Sequence, residues 1–390
     1  MYKFDHRQLR VCHDELDKRK KMVKLFSSCR FILLQHILSD TEEFINAMIN
    51  AELDIFALIA KPYSIDEDVA SRLSKKQFRW IQESYENLEK KKIIEKLLDD
   101  AISESEKDKK SILIVDVGGY FCQPLVSLRH ENKGYIKGIV EVTKFGHNRY
   151  KEAIDKIEFP IISIAESPIK TLEGRFVGMS AVTALDGIFR KFGLSLSGRH
   201  ALMVGFGLIG KSVADALRAR NISVMIYDVN GFPKAEAFTL GYTVGEKKEL
   251  LSQADLILSS TATRAITYED ILLCKEGCVI GSVGSKKNEI DTISLEKKSI
   301  KKKSIDEFLT EYLLENGKKI YLLKEGTSIN FIVQSCPEEI IDLIFAETLY
   351  CWKHLLEEPL FFPTKKINTT PVDTTNTICE KWLYLTGVKC

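Results

Sequence analysis

The chain has 390 residues, which is long enough for two domains with separate hydrophobic cores. Hydrophobic residues make up 45% and charged residues 28%, and 56 basic residues nearly balance 55 acidic ones, so no general field favours nucleic acid or an anionic membrane surface. Nine scattered cysteines, the lack of a signal peptide and the lack of an apolar run of about 20 residues lead us to expect a cytoplasmic protein with free thiols and no metal site.

The first part of the chain alternates buried strands with amphipathic helices. An apolar strand at 29–38 contains His36, and a helix then leads into a second apolar run. A charged amphipathic helix is predicted over 83–110. Short buried strands follow at 111–121, 137–143 and 159–167. Continuous apolar strands that alternate with helices predict an α/β fold whose parallel sheet is covered on both faces.

A second domain of the same type is predicted after a long helix over 180–198. Its strands are predicted at 200–207, 222–228, 254–261, 277–284 and 319–326. The lysine-rich segment 296–308 is expected to be a solvated connector, with contact to phosphate as the alternative. Residues 367–377, near the end of the chain, have little apolar content and are predicted to form a loop.

A glycine motif opens the second domain. Gly205, Gly207 and Gly210 have the spacing G-x-G-x-x-G directly after a strand and at the start of a helix. In a dinucleotide site, the first glycine permits the tight turn, the second leaves room for the pyrophosphate, and the third lets the helix pack on the strand. Asp228 ends the next strand, 18 residues after Gly210, where an acid binds the ribose hydroxyls and favours NAD. The alternative is a purely structural glycine turn.

Thr261 follows the strand 254–261, where such folds line the nicotinamide side of the cofactor. An equally good interpretation makes Thr261 the N-cap of the next helix. The sequence leaves both readings of this threonine open.

Other segments carry a resemblance to a known family. They are "GIVEVTKFGHNRYK" (138–151), "ESPIKTLEGRFVGMSAVTALDGIFR" (166–190), "GSKKNEID" (284–291) and "GKKIYLLKEGTSIN" (317–330). Together with the glycine-rich segment 198–242, in which Lys211 follows the third glycine, they resemble the S-adenosylhomocysteine hydrolase (adenosylhomocysteinase) family. The resemblance covers roughly residues 30–350 and is most specific in the second half.

The resemblance implies two Rossmann-like domains with parallel sheets, the NAD domain being inserted into the substrate domain. The implied boundaries are 1–181 for the substrate domain, 182–334 for the NAD domain, 335–365 for the return to the substrate domain and 366–390 for a C-terminal tail. Enzymes of this family oxidise the 3′-hydroxyl of the substrate ribose with bound NAD, eliminate homocysteine, add water and reduce the ketone again. Members of the family form tetramers, so we expect a homodimer or homotetramer. We also expect a small-molecule substrate, and neither nucleic acid nor a membrane as a partner.

The matching positions give candidate site residues. The catalytic candidates are His36, Lys170 and Glu141, although His36 could be a structural buried histidine and Lys170 a surface lysine. The cofactor-binding candidates are Gly205, Gly207, Leu208, Ile209, Gly210, Asp228, Thr143, Thr261 and Asn330. The substrate-binding candidates are Asp116, Arg175 and Ser285.

Several acid/base positions of the family differ in this chain. The family's Asp-Asp-Gly-Gly turn reads Asp116-Val117-Gly118-Gly119, and the second glutamate of its Glu-Glu-Thr-Thr-Thr segment is Val142. An aspartate and an asparagine after the lysine are Gly174 and Arg175, and the histidine of Gly-His-Phe-Asp is Ser285. Because loss of one catalytic group commonly costs ~10²–10⁴ in rate, these changes argue against standard hydrolysis of adenosylhomocysteine.

Three hypotheses follow. In the first, the chain is an NAD-dependent enzyme that oxidises a hydroxyl of a nucleoside, a sugar or a small hydroxy acid. In the second, it is a hydrolase with rearranged catalytic groups. In the third, it is a non-catalytic NAD-binding regulator. Basic residues at altered positions, namely Arg175, Lys144, Lys286 and Lys287, predict an anionic substrate if they face the cleft. The alternative is that these four side chains face solvent.

Overall fold

The structure is a computed structural model that describes residues 9–128, 134–284 and 287–388. It divides into two compact units, Met1–Lys170 with Glu338–Cys390, and Thr171–Pro337. The second unit is therefore inserted into the first, and it starts earlier than the expected residue 182. Within the described ranges, no helix combines the length and the apolarity needed to cross a bilayer.

The first unit contains a parallel sheet of seven strands. They are β1 (Cys29–Ile37), β2 (Asp54–Ile65), β3 (Arg79–Gln82), β4 (Ser111–Asp116), β5 (Ile136–Glu141), β6 (Ile161–Ser163) and β15 (Ile367–Asn368), in the order β15-β6-β5-β4-β1-β2-β3. The helices are α1 (Arg10–Glu15), α2 (Lys21–Phe26), α3 (Ser39–Asn50), α4 (Glu67–Leu73), α5 (Tyr85–Glu89), α6 (Lys92–Asp108), α7 (Cys122–Ser127), α8 (Lys144–Ala153), α15 (Glu338–Glu357) and α16 (Val372–Leu385). All strand pairs are parallel, as the apolar strands predicted.

The returning helix α15 completes the core of the first unit. Its Trp352 is fully buried, donates its indole N–H to the carbonyl of Ile114 at 3.2 Å, and lies 4.9 Å from the ring of Phe31. Phe345 of the same helix stacks on Phe44 of α3 at 4.4 Å. Because buried aromatic side chains contribute large apolar areas, the segment after the insertion is part of this core.

The order of strands creates a crevice between β1 and β4. From β1 the chain runs outward to β2 and β3, and it then returns to the other side of β1 to form β4, β5 and β6. The connections leaving β1 and β4 therefore turn in opposite directions at the carboxyl edge of the sheet. Ligands of open α/β sheets bind at such switch points.

The second unit contains a sheet of eight strands. They are β7 (His200–Val204), β8 (Ser223–Tyr227), β9 (Thr243–Val244), β10 (Leu256–Ser259), β11 (Cys278–Ser282), β12 (Lys301–Asp306), β13 (Leu309–Leu313) and β14 (Lys319–Leu323), in the order β12-β13-β14-β11-β10-β7-β8-β9. The helices are α9 (Pro168–Lys191), which begins in the first unit, α10 (Leu208–Arg218), α11 (Gly231–Thr239), α12 (Lys247–Gln253), α13 (Tyr268–Leu273) and α14 (Thr292–Lys298). The switch point of this sheet lies between β7 and β10.

The second sheet is not wholly parallel, which corrects the expectation of two parallel sheets. Strands β12, β13 and β14 pair antiparallel at one edge. The prediction of a solvated connector at 296–308 is also wrong. Its lysines at 301–303 form the exposed edge strand β12. Lysines on an edge strand discourage pairing with another chain.

The predicted loop at 367–377 is also wrong. Ile367 and Asn368 pair with β6, and α16 begins at Val372. Asn368 donates its side-chain amide to the carbonyl of Ile161 at 3.1 Å. These long-range contacts order a segment whose composition is typical of a loop.

Candidate functional site

The three glycines of the motif in the second unit occupy three different environments. Gly205 has φ +93°, and a Cβ there would lie 2.6 Å from the carbonyl oxygen of Ser260. A Cβ on Gly210 would lie 2.0 Å from the carbonyl oxygen of Gly205. At Gly207, by contrast, a Cβ would meet no heavy atom within 4 Å. The turn, the close packing and the open position required for a pyrophosphate are therefore all present.

Helix α10 begins at this open position. Gly207 is its N-cap, Leu208 is partly exposed and Ile209 packs against the core of the unit. The amide groups of a helix N-terminus and the helix dipole attract anionic phosphates. The start of α10 therefore offers the groups that a dinucleotide needs at its pyrophosphate.

Asp228 directly follows β8, the neighbour of β7. One carboxylate oxygen accepts the backbone N–H of Phe206 at 2.9 Å, and the other accepts that of Asn230 at 2.9 Å. Each oxygen has further lone pairs for hydroxyl donors, and the side chain is half-buried. Asp228 thus holds the glycine-rich loop and lies where an acid binds the adenosine ribose.

Glu289 anchors the loop after β10. Its buried carboxylate accepts hydrogen bonds from the backbone N–H of Thr261 and of Ala262 at 2.7–2.9 Å, and from the Thr261 hydroxyl at 2.9 Å. A Cβ on Gly284 would lie 2.1 Å from this carboxylate. The interpretation of Thr261 as an N-cap is wrong, because α13 is capped by Thr267. Sequence reasoning missed Glu289, although it lies in the "GSKKNEID" segment.

Asn330 lies in a polar cluster after β14. It is buried, accepts from the Ser328 hydroxyl and donates its amide to the Ser335 hydroxyl at 2.6 Å. Lys324 donates to the carbonyl of Ser328 at 3.2 Å, and burial lowers the pKa of this lysine to about 8. The carboxyl edge of the second sheet therefore ends in a fixed amide beside a half-buried amine.

His36 lies at the end of β1, at the switch point of the first sheet. Its Nδ1 is 2.5 Å from the hydroxyl of Ser64. Burial, followed by the positive charges of Lys61 and Lys170, holds the pKa of His36 well below its usual value. The imidazole is therefore neutral near pH 7 and can accept a proton. Lys61, within β2, is itself buried, and sequence reasoning missed it.

Two buried carboxylates flank the Gly118–Gly119 turn. Glu141 accepts the backbone N–H of Gly118 at 3.2 Å and that of Gly119 at 3.0 Å, and also both the N–H and the hydroxyl of Thr143 at 2.6–2.7 Å. Asp116, its partner in the β4–β5 register, accepts two backbone N–H groups and the Tyr150 hydroxyl at 2.8–3.2 Å. Burial and then the charge of Asp116 raise the pKa of Glu141. Both carboxylates therefore hold the main chain.

Thr143 is the N-cap of α8. Its hydroxyl accepts the backbone N–H of Gly146 at 3.0 Å while it donates to Glu141. Lys144 forms an ion pair with Glu166 and is exposed. The cofactor contact predicted for Thr143 stays a prediction, and its hydroxyl already has two partners within the first unit.

Lys170 lies at the end of the first unit, close enough to His36 and Glu347 to affect the pKa values of both. Ser167 accepts the backbone N–H of Lys170 at 3.1 Å and donates to Glu347 at 2.9 Å. Glu347, on α15, is fully buried, and burial raises its pKa to about 7. Sequence reasoning missed Glu347, because nothing in the local pattern of α15 separates it from a surface glutamate.

Known proteins are similar in sequence to the parts of this chain that contain these sites. Residues 178–336 match the family model "S-adenosyl-L-homocysteine hydrolase, NAD binding domain". The adenosylhomocysteinase of Sulfolobus acidocaldarius is 25% identical over 384 residues, which cover 96% of this chain and 88% of that protein. That of Thermotoga maritima is 31% identical over 254 residues, 64% of this chain and 63% of that protein. That of Thermoplasma volcanium is 26% identical over 344 residues, 85% and 80% of the two chains.

Residues 178–336 thus resemble the NAD-binding domain of S-adenosyl-L-homocysteine hydrolase, and the chain is similar to adenosylhomocysteinases over most of its length. Its cofactor is NAD, because the matched domain contains the glycine-rich loop and Asp228 in the geometry described above.

Positions that differ from the adenosylhomocysteinase pattern have structural roles in this chain. Val117 and Val142, which replace family carboxylates, are buried. Gly174, which replaces an aspartate, lets α9 pack on α10, since a Cβ there would lie 2.7 Å from the Leu208 side chain. Arg175 is exposed, and its carbonyl accepts the Ser212 hydroxyl at 2.7 Å. Ser285, a predicted substrate contact, and Lys286 lie outside the described residues.

The pH dependence of stability tests the burial of Glu347. Its folded-state pKa of about 7 exceeds the value of about 4.3 for an unfolded glutamate. A raised carboxyl pKa contributes stability that is complete below the unfolded pKa and is lost as the pH rises through the folded pKa. Glu347→Gln cannot titrate, so its unfolding free energy relative to the original chain should rise by about 3 kcal/mol between roughly pH 4 and pH 8.

Urea unfolding over this pH range measures the difference. Glu357→Gln, an exposed change on the same helix, is the matched control and should alter stability by less than about 0.5 kcal/mol at every pH. Parallel pH profiles for the Glu347→Gln variant and the original chain would contradict the raised pKa.

Proposed function

We propose that this chain is an NAD-dependent enzyme that uses tightly bound NAD to oxidise a hydroxyl of a nucleoside, a sugar or a small hydroxy acid. One contrast carries the proposal. The glycine-rich loop and Asp228 retain the geometry for NAD, whereas the carboxylates at the switch point of the first sheet are replaced by valine or accept main-chain hydrogen bonds. We propose a homodimer or homotetramer as its assembly.

Oxidation of an alcohol needs one proton acceptor and one hydride acceptor. Bound NAD⁺ supplies the hydride acceptor. His36 is neutral, ends β1 at the switch point and takes the proton of the substrate hydroxyl, while its contact with Ser64 fixes the ring. Lys170 orients the hydroxyl oxygen or stabilises the negative charge that develops on it. Asp116 is proposed to act on the substrate only through the Gly118–Gly119 turn, which it helps to hold.

Hydrolysis of adenosylhomocysteine also needs acid/base groups for elimination and for addition of water. Val117 and Val142 cannot exchange protons, and the oxygens of Asp116 and Glu141 already accept hydrogen bonds from the main chain. This is why oxidation of a hydroxyl is favoured over the complete hydrolase reaction.

Small molecules released from the denatured, purified protein test the proposal by mass spectrometry. We expect NAD with a fraction of NADH, and NADH formation when a hydroxylated metabolite is supplied. Release of adenosine and homocysteine from adenosylhomocysteine would instead identify a hydrolase. Failure to reduce bound NAD with nucleosides, sugars and hydroxy acids alike would favour a non-catalytic NAD-binding protein.

Replacement of His36 by asparagine should lower the rate of NAD reduction by ~10²–10⁴-fold, because the general base is lost. The NAD content should not change, since His36 belongs to the first unit. Stopped-flow fluorescence of the NADH formed measures the rate. His200→Asn, at an exposed histidine of the second unit, is the matched control and should react at the original rate. An unchanged rate in His36→Asn would remove His36 from the proposal.

A further inference from the structure

The turn after β14 has an uncommon backbone conformation. Lys324 (φ +43°) and Glu325 (φ +52°) are consecutive non-glycine residues in the left-handed region, and Gly326 follows with φ +78°. In this region the Cβ of an ordinary residue crowds the following carbonyl oxygen, so two such residues in succession are disfavoured. Strained backbone of this kind clusters at functional sites, where the surrounding structure maintains it.

The hairpin of β12 and β13 maintains the strained turn. The backbone N–H of Lys324 donates to the carbonyl of Phe308 at 2.8 Å. The carboxylate of Glu325 accepts the hydroxyl of Thr310 at 2.7 Å and the ammonium group of Lys302 at 3.2 Å. The hairpin thus takes the carboxylate of Glu325 as a partner and fixes the backbone that carries the Lys324 side chain.

The amine of Lys324 contacts the segment that follows the turn. Its Nζ donates to the carbonyl of Ser328 at 3.2 Å and lies 5.5 Å from the centre of the Phe331 ring. Ser328 in turn forms a parallel bridge with Ser282, the last residue of β11. The carbonyl and the ring are neutral, so neither cancels the positive charge of the amine. Burial lowers the pKa of Lys324 to about 8, which leaves most of the amine protonated at pH 7.

The strand order places this amine in one half of the cofactor site. Strands β9, β8, β7, β10, β11 and β14 follow one another in the order 3-2-1-4-5-6 of a dinucleotide-binding sheet. Asp228 follows β8 and the glycine-rich loop follows β7, so the groups for the adenosine and the pyrophosphate belong to the first half. The carboxyl ends of β10, β11 and β14 are therefore left for the nicotinamide half, and Lys324 belongs to that edge.

The charge at the nicotinamide end depends on the oxidation state of the cofactor. The nicotinamide ring of NAD⁺ is positively charged, whereas that of NADH is neutral. A fixed ammonium group nearby opposes the oxidised form, and because binding and reduction are linked, it favours reduction of the bound cofactor. A unit charge acting over about 10 Å at an effective dielectric constant of about 20 changes an affinity by roughly tenfold.

We propose that Lys324 shifts the bound cofactor toward its reduced form by weakening the binding of NAD⁺ relative to NADH. The inference concerns the cofactor alone and goes beyond the proposed function. A cofactor shifted in this way is a better hydride acceptor, which favours oxidation of a hydroxyl. In this role Lys324 sets the redox preference of the cofactor and transfers neither a proton nor a hydride.

The dissociation constants of NAD⁺ and NADH for the purified full chain, stripped of cofactor, test the inference. The fluorescence of NADH gives one constant, and displacement of NADH by NAD⁺ gives the other. Lys324→Met keeps the apolar stem without the charge, and we expect it to reduce the preference for NADH over NAD⁺ by about tenfold. For a two-electron couple, this corresponds to a midpoint potential of the bound cofactor that is lower by about 30 mV.

Three further variants separate charge from structure. Lys324→Asn, a neutral residue that tolerates the left-handed conformation, should reduce the preference as Lys324→Met does. Lys324→Arg keeps the charge and should retain most of the preference. Lys303→Met, at an exposed lysine of β12, is the control and should behave as the original chain. Circular dichroism establishes that each variant is folded.

Three outcomes would overturn the inference. The two affinities could stay unchanged in the folded neutral variants, they could fall by the same factor, as expected of a merely structural lysine, or Lys324→Arg could lose the preference as fully as Lys324→Met. The test requires no substrate. A chain with the charge-dependent preference that oxidises no nucleoside, sugar or hydroxy acid would refute the proposed function alone. One that oxidises a hydroxyl, but whose preference does not depend on Lys324, would refute the inference alone.

Discussion

Replacement of Gly207 by aspartate is expected to remove NAD while the fold remains intact. A Cβ at Gly207 meets no heavy atom within 4 Å, so the protein has space for the new side chain. In this type of loop the pyrophosphate occupies such a space, and a carboxylate beside it opposes the phosphate charge at a cost of several kcal/mol. We expect the affinity for NAD to fall by more than about 100-fold, which corresponds to about 2.7 kcal/mol.

The effect on stability has the opposite sign. Gly207 is the N-cap of α10, a position where aspartate exceeds glycine by a few tenths of a kcal/mol. In the absence of NAD, the Tm of Gly207→Asp should therefore equal or slightly exceed that of the original chain. A general loss of folding cannot produce this pair of changes.

Calorimetric titration of NAD into the protein stripped of cofactor, together with the NAD content after purification, measures the loss. Gly187→Asp is the matched control, since Gly187 is exposed on α9 and a Cβ there also meets no heavy atom within 4 Å. This control should bind NAD normally. Retention of NAD by folded Gly207→Asp would mean that the dinucleotide does not use this loop.

The cofactor loop could be predicted from sequence because its residues are close together in the chain. Gly205, Gly207 and Gly210 lie within six residues and determine one turn, one open position and one close packing contact. Asp228 follows at the end of the next strand, which pairs with the first. The α/β class was equally accessible, since continuous apolar strands alternate with helices in both units.

Long-range contacts explain what the sequence did not reveal. Glu289 holds Thr261 from 28 residues away, and residues 367–368 join a strand formed more than 200 residues earlier. The bulge of β2 opposite His36 appears in sequence only as "KPYS", and its meaning depends on the register with β1. Lys61 was missed for this reason. Composition describes such segments poorly, because their neighbours in space decide their conformation.

The carboxylates were predicted as acid/base or substrate-binding groups by position alone. A sequence pattern gives the residue type at the end of a strand, whereas hydrogen-bond partners decide whether its lone pairs remain available. Four donors on Glu141 and three on Asp116 indicate that these side chains first of all fix the turn. The catalytic role of Glu141 stays a prediction, and a single substitution distinguishes the two roles.

Glu141→Gln is expected to lower the unfolding free energy by about 1–3 kcal/mol. The carboxylate accepts donors at both oxygens, so in either orientation the amide NH₂ of glutamine faces at least one backbone N–H, that of Gly118 or Gly119. A buried N–H left without an acceptor costs ~1–3 kcal/mol. Contact of the Glu141 carboxylate with Gly146, where a Cβ would lie 2.1 Å away, prevents the side chain from moving aside.

Urea unfolding near pH 7 measures this loss, and Glu106→Gln, at an exposed glutamate of α6, is the control that should stay within about 0.5 kcal/mol of the original chain. Kinetics of NAD reduction in the folded variant then separate the two roles. A turn-forming glutamate predicts a large loss of stability with only a modest change in rate per folded molecule. A catalytic glutamate predicts the reverse, a loss of ~10²–10⁴ in rate with near-normal stability, because proton transfer depends on one ionisable oxygen whereas the turn depends on all four donors.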